Sequence, residues 1–254
     1  PAIVNGYHTV GSDGGVFSFG VAFGGSLGNI SLNKPIVGGA LDQGKNGAYW
    51  LVASDGGVFS LGGAHFYGSA AELGGVQAKA PVVGMAATSD GGGYILVDNQ
   101  GNVYNFGDAQ NFGGLGNMHL NAPIVGVAMT PDNKGYWLFA ADGGVFAFGD
   151  ATYYGSMGGK HLNQPIVGGA ATPDGKGYYL VAADGGIFTF GDAQYFGSTG
   201  AMTLNAPIVG MKVDASGGGY YLFAKDGGVF TFGDAPFDGS AANLKLNGPI
   251  VGGF

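Results

Sequence analysis

A unit of about 42 residues is written six times along this chain, and no other feature constrains the fold so tightly. Pro-Ile/Val-Val recurs at Pro35, Pro81, Pro123, Pro165, Pro207 and Pro249, with spacings of 46, 42, 42, 42 and 42. A second marker, Asp-Gly-Gly-Val/Ile-Phe, begins at Asp13, Asp55, Asp142, Asp184 and Asp226, with a degenerate copy at Gln100. Self-similarity at this period predicts a repeat architecture in which each unit buries its apolar face against its neighbours.

One unit reads as four short strands. From Pro123 the order is an apolar run to Thr130, a Pro-Asp-Asn-Lys-Gly turn, and the aromatic run Tyr136-Trp-Leu-Phe-Ala. An Asp-Gly turn at Asp142 then leads to Val145-Phe-Ala-Phe, and a final short segment carries Thr152-Tyr-Tyr-Gly-Ser. Pro, Asn and Gly supply the turn dihedrals, and Asp-Gly between apolar runs is a strong hairpin signal. No segment shows a helical period, and the 56 glycines are too many for helices.

Four antiparallel strands in 42 residues predict a propeller blade, so the expected class is all-β, a six-bladed β-propeller. The predicted blades are residues 35–80, 81–122, 123–164, 165–206 and 207–248, with 249–254 plus 1–34 forming the sixth. Pro249–Phe254 is a first strand with no second strand after it, while Tyr7–Val10 is a second strand with no complete first strand before it. The C-terminal strand is therefore expected to join the N-terminal blade and close the ring. Small residues after each Pro-Ile-Val are expected to relieve crowding at the axis, and aromatic strands to fill the wider space between blades.

The stretch Pro165–Ala193 (Pro-Ile-Val-Gly, Pro-Asp-Gly-Lys-Gly-Tyr, Asp-Gly-Gly-Ile-Phe-Thr-Phe-Gly-Asp-Ala) resembles a repeat found in secreted actinobacterial proteins. There such arrays often accompany cell-wall hydrolases or other extracellular enzyme domains. The repeat is distantly similar to the WD-repeat, with Phe-Gly-Asp standing where that family has Trp-Asp. The resemblance implies a propeller and an extracellular setting, and carries no catalytic motif with it. A chain beginning at Pro1 fits a processed leader.

Charge narrows the partners. Nine lysines and no arginine face sixteen aspartates and one glutamate, a net charge of −8. Without basic clusters, neither nucleic acid nor an anionic membrane surface is an expected partner. There is no cysteine, hence no disulfide and no thiolate chemistry. No nucleophile elbow occurs, and no metal or other cofactor is expected. The Asp-Gly aspartates read as turn caps. The Phe-Gly-Asp aspartates (Asp108, Asp150, Asp192, Asp234), with Asp90, Asp132 and Asp174, lack the dense alternation of a calcium loop.

Function is sought where the copies differ. His119 and His161 fill one loop slot in successive copies, whereas His8 and His65 read as surface substitutions. The stretch between Ser69 and Pro81 is longer than its equivalents and carries Glu72. The fourth-segment aromatics Tyr67, Tyr153, Tyr154 and Tyr195 lie just before these loops, and about three such pockets are expected. Aromatic faces beside Asn, Gln and Asp suit sugars, whose C–H faces stack on rings while their hydroxyls need polar partners. The expectation is a non-catalytic secreted binding module for an extracellular glycan or cell-envelope polymer. A structural, self-assembling or protein-docking role is the alternative, and a polysaccharide-active enzyme ranks below both.

Overall fold

The computed structural model describes residues 6–71 and 76–254; Glu72, with the rest of 72–75 in the longer loop, lies outside them. The described residues form eighteen β-strands in six antiparallel three-stranded sheets, with no helix among them. The first sheet joins both ends of the chain: β1 (Tyr7–Gly11) lies between β2 (Val16–Phe19) and β18 (Ile250–Gly253). The second sheet holds β3 (Ile36–Leu41), β4 (Tyr49–Ala53) and β5 (Val58–Leu61), and the third β6 (Val82–Ala87), β7 (Gly93–Asp98) and β8 (Val103–Gly107). The fourth holds β9 (Ile124–Met129), β10 (Gly135–Ala140) and β11 (Val145–Gly149), and the fifth β12 (Ile166–Ala171), β13 (Gly177–Ala182) and β14 (Ile187–Gly191). The sixth is β15 (Ile208–Val213), β16 (Gly219–Ala224) and β17 (Val229–Gly233).

The opening strands touch in the cyclic order β3, β6, β9, β12, β15, β18 and back to β3. The expected pairing of the chain ends is present: Thr9 sits opposite Gly253 and Val10 opposite Gly252. The middle strands are buried on both faces, because each sheet has a neighbour on either side.

Three strands, not the expected four, form each ladder. The fourth segment leaves the sheet after a glycine in the left-handed region, as at Gly149 (φ 68°), and runs toward the following sheet. There it is held by a tyrosine. The first aromatic of each middle strand is fully buried and its hydroxyl donates to a glycine carbonyl of the preceding unit. The six bonds are Tyr49 to Gly25, Tyr94 to Gly68, Tyr136 to Gly113, Tyr178 to Gly155, Tyr220 to Gly197 and Tyr7 to Gly239, at 2.5–2.6 Å. In five of them the same hydroxyl accepts a backbone N–H from the latched segment, as from Tyr154 to Tyr178 at 3.0 Å. Buried peptide groups that left the ladder are thereby satisfied, and the six latches form a closed cycle.

Crowding explains the small residues at only one of the two positions. A Cβ on Gly39, Gly169 or Gly253 would collide with the ring of Phe254, Phe139 or Phe223 respectively. One on Gly38, Gly168 or Gly252 would meet nothing within 4 Å.

His8 corrects another expectation. It is buried rather than superficial, with its Nδ1 2.8 Å from the Ser18 hydroxyl and its ring 4.7 Å from Tyr49 and 5.2 Å from Phe254. It occupies a middle-strand position that holds Trp50 and Trp137 elsewhere, so it is enclosed by two sheets as they are.

Candidate functional site

Two consecutive residues of the fourth segment have opposite fates in four of the units. The first member is exposed: Phe23, Phe66, Tyr153, Tyr195 and Phe237 each keep between 53 and 60% of their surface. Asn111 is exposed at the same position in the third unit. The second member packs inward between sheets where it is aromatic, at Tyr67, Phe112, Tyr154 and Phe196; Gly24 and the exposed Asp238 hold that place in the other two units. Tyr154 lies with its ring 5.8 Å from Tyr178 and its hydroxyl donates to Gly175 at 3.4 Å. Tyr67 lies 5.8 Å from Tyr94 and donates to Gly91 at 2.9 Å.

The four candidate tyrosines therefore divide. Tyr153 and Tyr195 face solvent, and the Tyr195 hydroxyl is 3.1 Å from Ser198 Oγ. Tyr67 and Tyr154 are half-buried spacers between sheets. Five units present an exposed ring. Phe23 and Phe237 stand outside the aromatic pairs of the sequence, and in the pair Phe66-Tyr67 the exposed member is Phe66.

His119 and His161 are exposed, as expected of loop residues. They line separate shallow cavities of about 540 and 610 Å³ beside Gln100 and Asp142, at the Asp-Gly-turn end of the sheets. The Tyr67 and Tyr154 hydroxyls reach turns at the other end. No described cavity unites a candidate tyrosine with a candidate histidine. His65 is exposed; its carbonyl accepts from Trp50 Nε1 at 2.8 Å and its ring lies edge-on to Tyr67, 4.7 Å between centroids.

The Asp-Gly aspartates act as turn caps. Oδ1 of Asp13, Asp55, Asp142, Asp184 and Asp226 accepts the N–H two residues on at 2.9–3.1 Å. At the opposite end, carboxylates meet in pairs around a buried threonine. The Thr172 hydroxyl is 2.9 Å from Asp174 and 3.4 Å from Asp192, and Thr130 stands likewise between Asp132 and Asp150. The Lys176 backbone N–H, followed by the Thr172 hydroxyl, holds Asp174 down to about 2. Asp150 is pushed upward, by desolvation first and then by Asp132. Among the described residues no three His, Cys, Asp or Glu side chains converge as metal ligands would.

A further feature had a sequence signal that went unread. In every sheet the register skips one residue of the opening strand, the valine of Pro-Ile/Val-Val: Val37, Val83, Val125, Val167, Val209 and Val251. All six line one cavity of about 650 Å³. A bulge inserts one unpaired residue and re-aims its side chain. Invariance of that valine across the six copies was the visible clue.

Compared with models of protein families and with curated proteins, the chain matches none.

Proposed function

We propose that the six sheets are the blades of a closed six-bladed propeller. We further propose that its rim is a non-catalytic binding surface for an extracellular glycan or cell-envelope polymer. The cyclic contacts of the opening strands and the cycle of six tyrosine latches support closure. The observation that carries the binding reading is the exposed aromatic at one repeat position in five units. Single exposed apolar residues are ordinary, but five at one symmetry-related position are not scatter. Exposed rings with neighbours such as Gln194 and Ser198 offer stacking faces with polar partners, and their repetition lets weak contacts add through multivalency. The likeness of the repeat to secreted actinobacterial arrays supports the extracellular setting.

The test is co-sedimentation with insoluble polysaccharides, followed by alanine replacement of the exposed rings. Tyr153→Ala and Tyr195→Ala should each weaken binding several-fold, and the double variant by roughly their product, with melting temperatures nearly unchanged. Retained binding after all five rings are replaced would refute the reading. Loss of self-association by light scattering in the same variants, with no glycan bound by the parent, would favour the self-assembling alternative.

A further inference from the structure

The six bulged valines converge on the axis from six separate sheets, and the space behind them is not filled by the chain's own side chains. A Cβ on Gly38, Gly168 or Gly252 would meet nothing within 4 Å. One on Gly84, Gly126 or Gly210 would find its nearest atom, the Cα of the next glycine in the ring, at 3.5–3.9 Å. Alanine would therefore fit at every one of these positions. The axis is open because this strand places glycine there, not because packing demands it. The cavity, about 650 Å³, is within the ~300–1,000 Å³ range of small-molecule sites.

Its lining is valine, isoleucine, proline and alanine, with one charged side chain, Lys225. Two other sheets have Ala141 and Ala183 at that position. The Lys225 backbone is pinned, its N–H donating to Pro207 and its carbonyl accepting from Ile250, so the side chain starts from a fixed point at the mouth. No carboxylate of the described residues lies within 4 Å of its ammonium; the ion pairs formed are those of Lys134 and Lys176. An unpaired cation beside an apolar wall attracts an anion more strongly than it would in open water.

We propose that this axial cavity binds a slender aliphatic carboxylate, its tail inside the valine ring and its head on Lys225. Burial of the tail predicts about a fourfold gain in affinity for each added methylene until the cavity is full. The head-group interaction predicts a carboxylate preferred to an alcohol of equal length, with a preference that weakens as salt is raised.

The experiment is calorimetric titration of the full chain with hexanoate, octanoate and decanoate below their micellar concentrations, and with decanol and decylammonium as controls. Affinity should rise along the carboxylate series, and Lys225→Gln should bring decanoate down to the level of decanol. Gly168→Val, whose added carbons point into open space, should abolish binding of all chain lengths, as should the polar replacement Val167→Asn. Circular dichroism and thermal melting establish that each variant is folded, and the second covers a failure of the first. Decanoate binding unaltered in a folded Gly168→Val or Val167→Asn variant would overturn the site. No heat with decanoate at millimolar concentration would do the same. Decylammonium bound as tightly as decanoate would overturn the head-group assignment.

Discussion

The junction between the fourth and fifth sheets and the junction between the sixth and first use the same latch but different surroundings. At the former, Tyr178 stands 5.6 Å from Trp137 and 5.5 Å from Phe190, its hydroxyl bonds Gly155, and Trp137 Nε1 bonds the Thr152 carbonyl at 2.8 Å. Every polar tip there has a partner. At the latter, Tyr7 stands 4.7 Å from Tyr221 and 5.8 Å from Phe223, and its hydroxyl bonds Gly239 at 2.6 Å. Around it the repeat pattern breaks. Lys212 replaces the alanine of other units and donates to Gly6 at 2.6 Å, and desolvation lowers its pKa to about 8. Thr9 replaces a leucine, and its buried hydroxyl has no partner among the described residues. The Tyr221 hydroxyl has none among them either. Pro236 stands where the Tyr179 unit has Gln194, and a proline has no N–H to give. The lesson is that, among the described residues, the junction between the sixth and first sheets is less well satisfied than that between the fourth and fifth, so opening should begin there.

Four measurements can break or sharpen this contrast. The largest effect is expected from deleting residues 249–254. That removes β18, exposes an edge of β1 and takes away the neighbour of β3 and β15. Cooperative unfolding should be lost or the melting midpoint should fall steeply; an unchanged midpoint would refute closure by this strand.

The next effect is acid sensitivity at the closing sheet. Burial, and then Lys212, lower the His8 pKa from 6.5 to about 4. His8 faces the Ser18 hydroxyl and the rings of Tyr49 and Phe254, and none of these carries an anionic charge to stabilise the imidazolium. The unfolded chain therefore binds the extra proton between pH 6.5 and 4. Stability present above pH 6.5 should decline by about 3 kcal/mol as pH falls to 4, and then level off for this residue. Denaturant titrations of the parent and His8→Trp, compared at each pH, isolate this share from that of the carboxylates. Parallel curves would show that His8 contributes none of it.

A smaller change is expected from the latches. Tyr178→Phe leaves the Gly155 carbonyl and the Tyr154 N–H without a partner and should cost about 1–3 kcal/mol. Tyr7→Phe should cost the same if the closing latch is equivalent. A clearly smaller loss would mean that the seam is already strained open. The smallest effect has the opposite sign. Tyr221→Phe removes a hydroxyl that bonds nothing among the described residues and should raise stability by about 1 kcal/mol. A loss instead would reveal a partner for that oxygen.

Much of this architecture was legible in the residues. The recurrence of Pro-Ile-Val and Asp-Gly-Gly located all six sheets, and the incomplete units at Tyr7 and Pro249 predicted the pairing of the chain ends. The Asp-Gly caps followed from the ordinary chemistry of that turn. The fourth strand was misjudged because Tyr153 and Tyr154 have high strand propensity, and propensity does not say whether a segment finds a ladder partner. The exposure of the candidate tyrosines was only partly legible for the same reason. Adjacent aromatics look alike in sequence, yet Tyr153 points to water and Tyr154 to the next sheet. His8 was misplaced because a polar residue in a strand suggests an outward face, and this strand has none.

The sequence by itself determined the number of sheets, their order, the hairpin turns and the complementarity of the two ends. These depend on local turn chemistry and on a period that repeats within one chain. Only the tertiary structure decided which tyrosine reaches which glycine, which ring of an aromatic pair stays wet, and where the valines point. Those outcomes depend on contacts between units and on a one-residue slip in register. A bulge of one residue turns a side chain from one face to the other, and an alternating pattern read along a single strand carries no record of it.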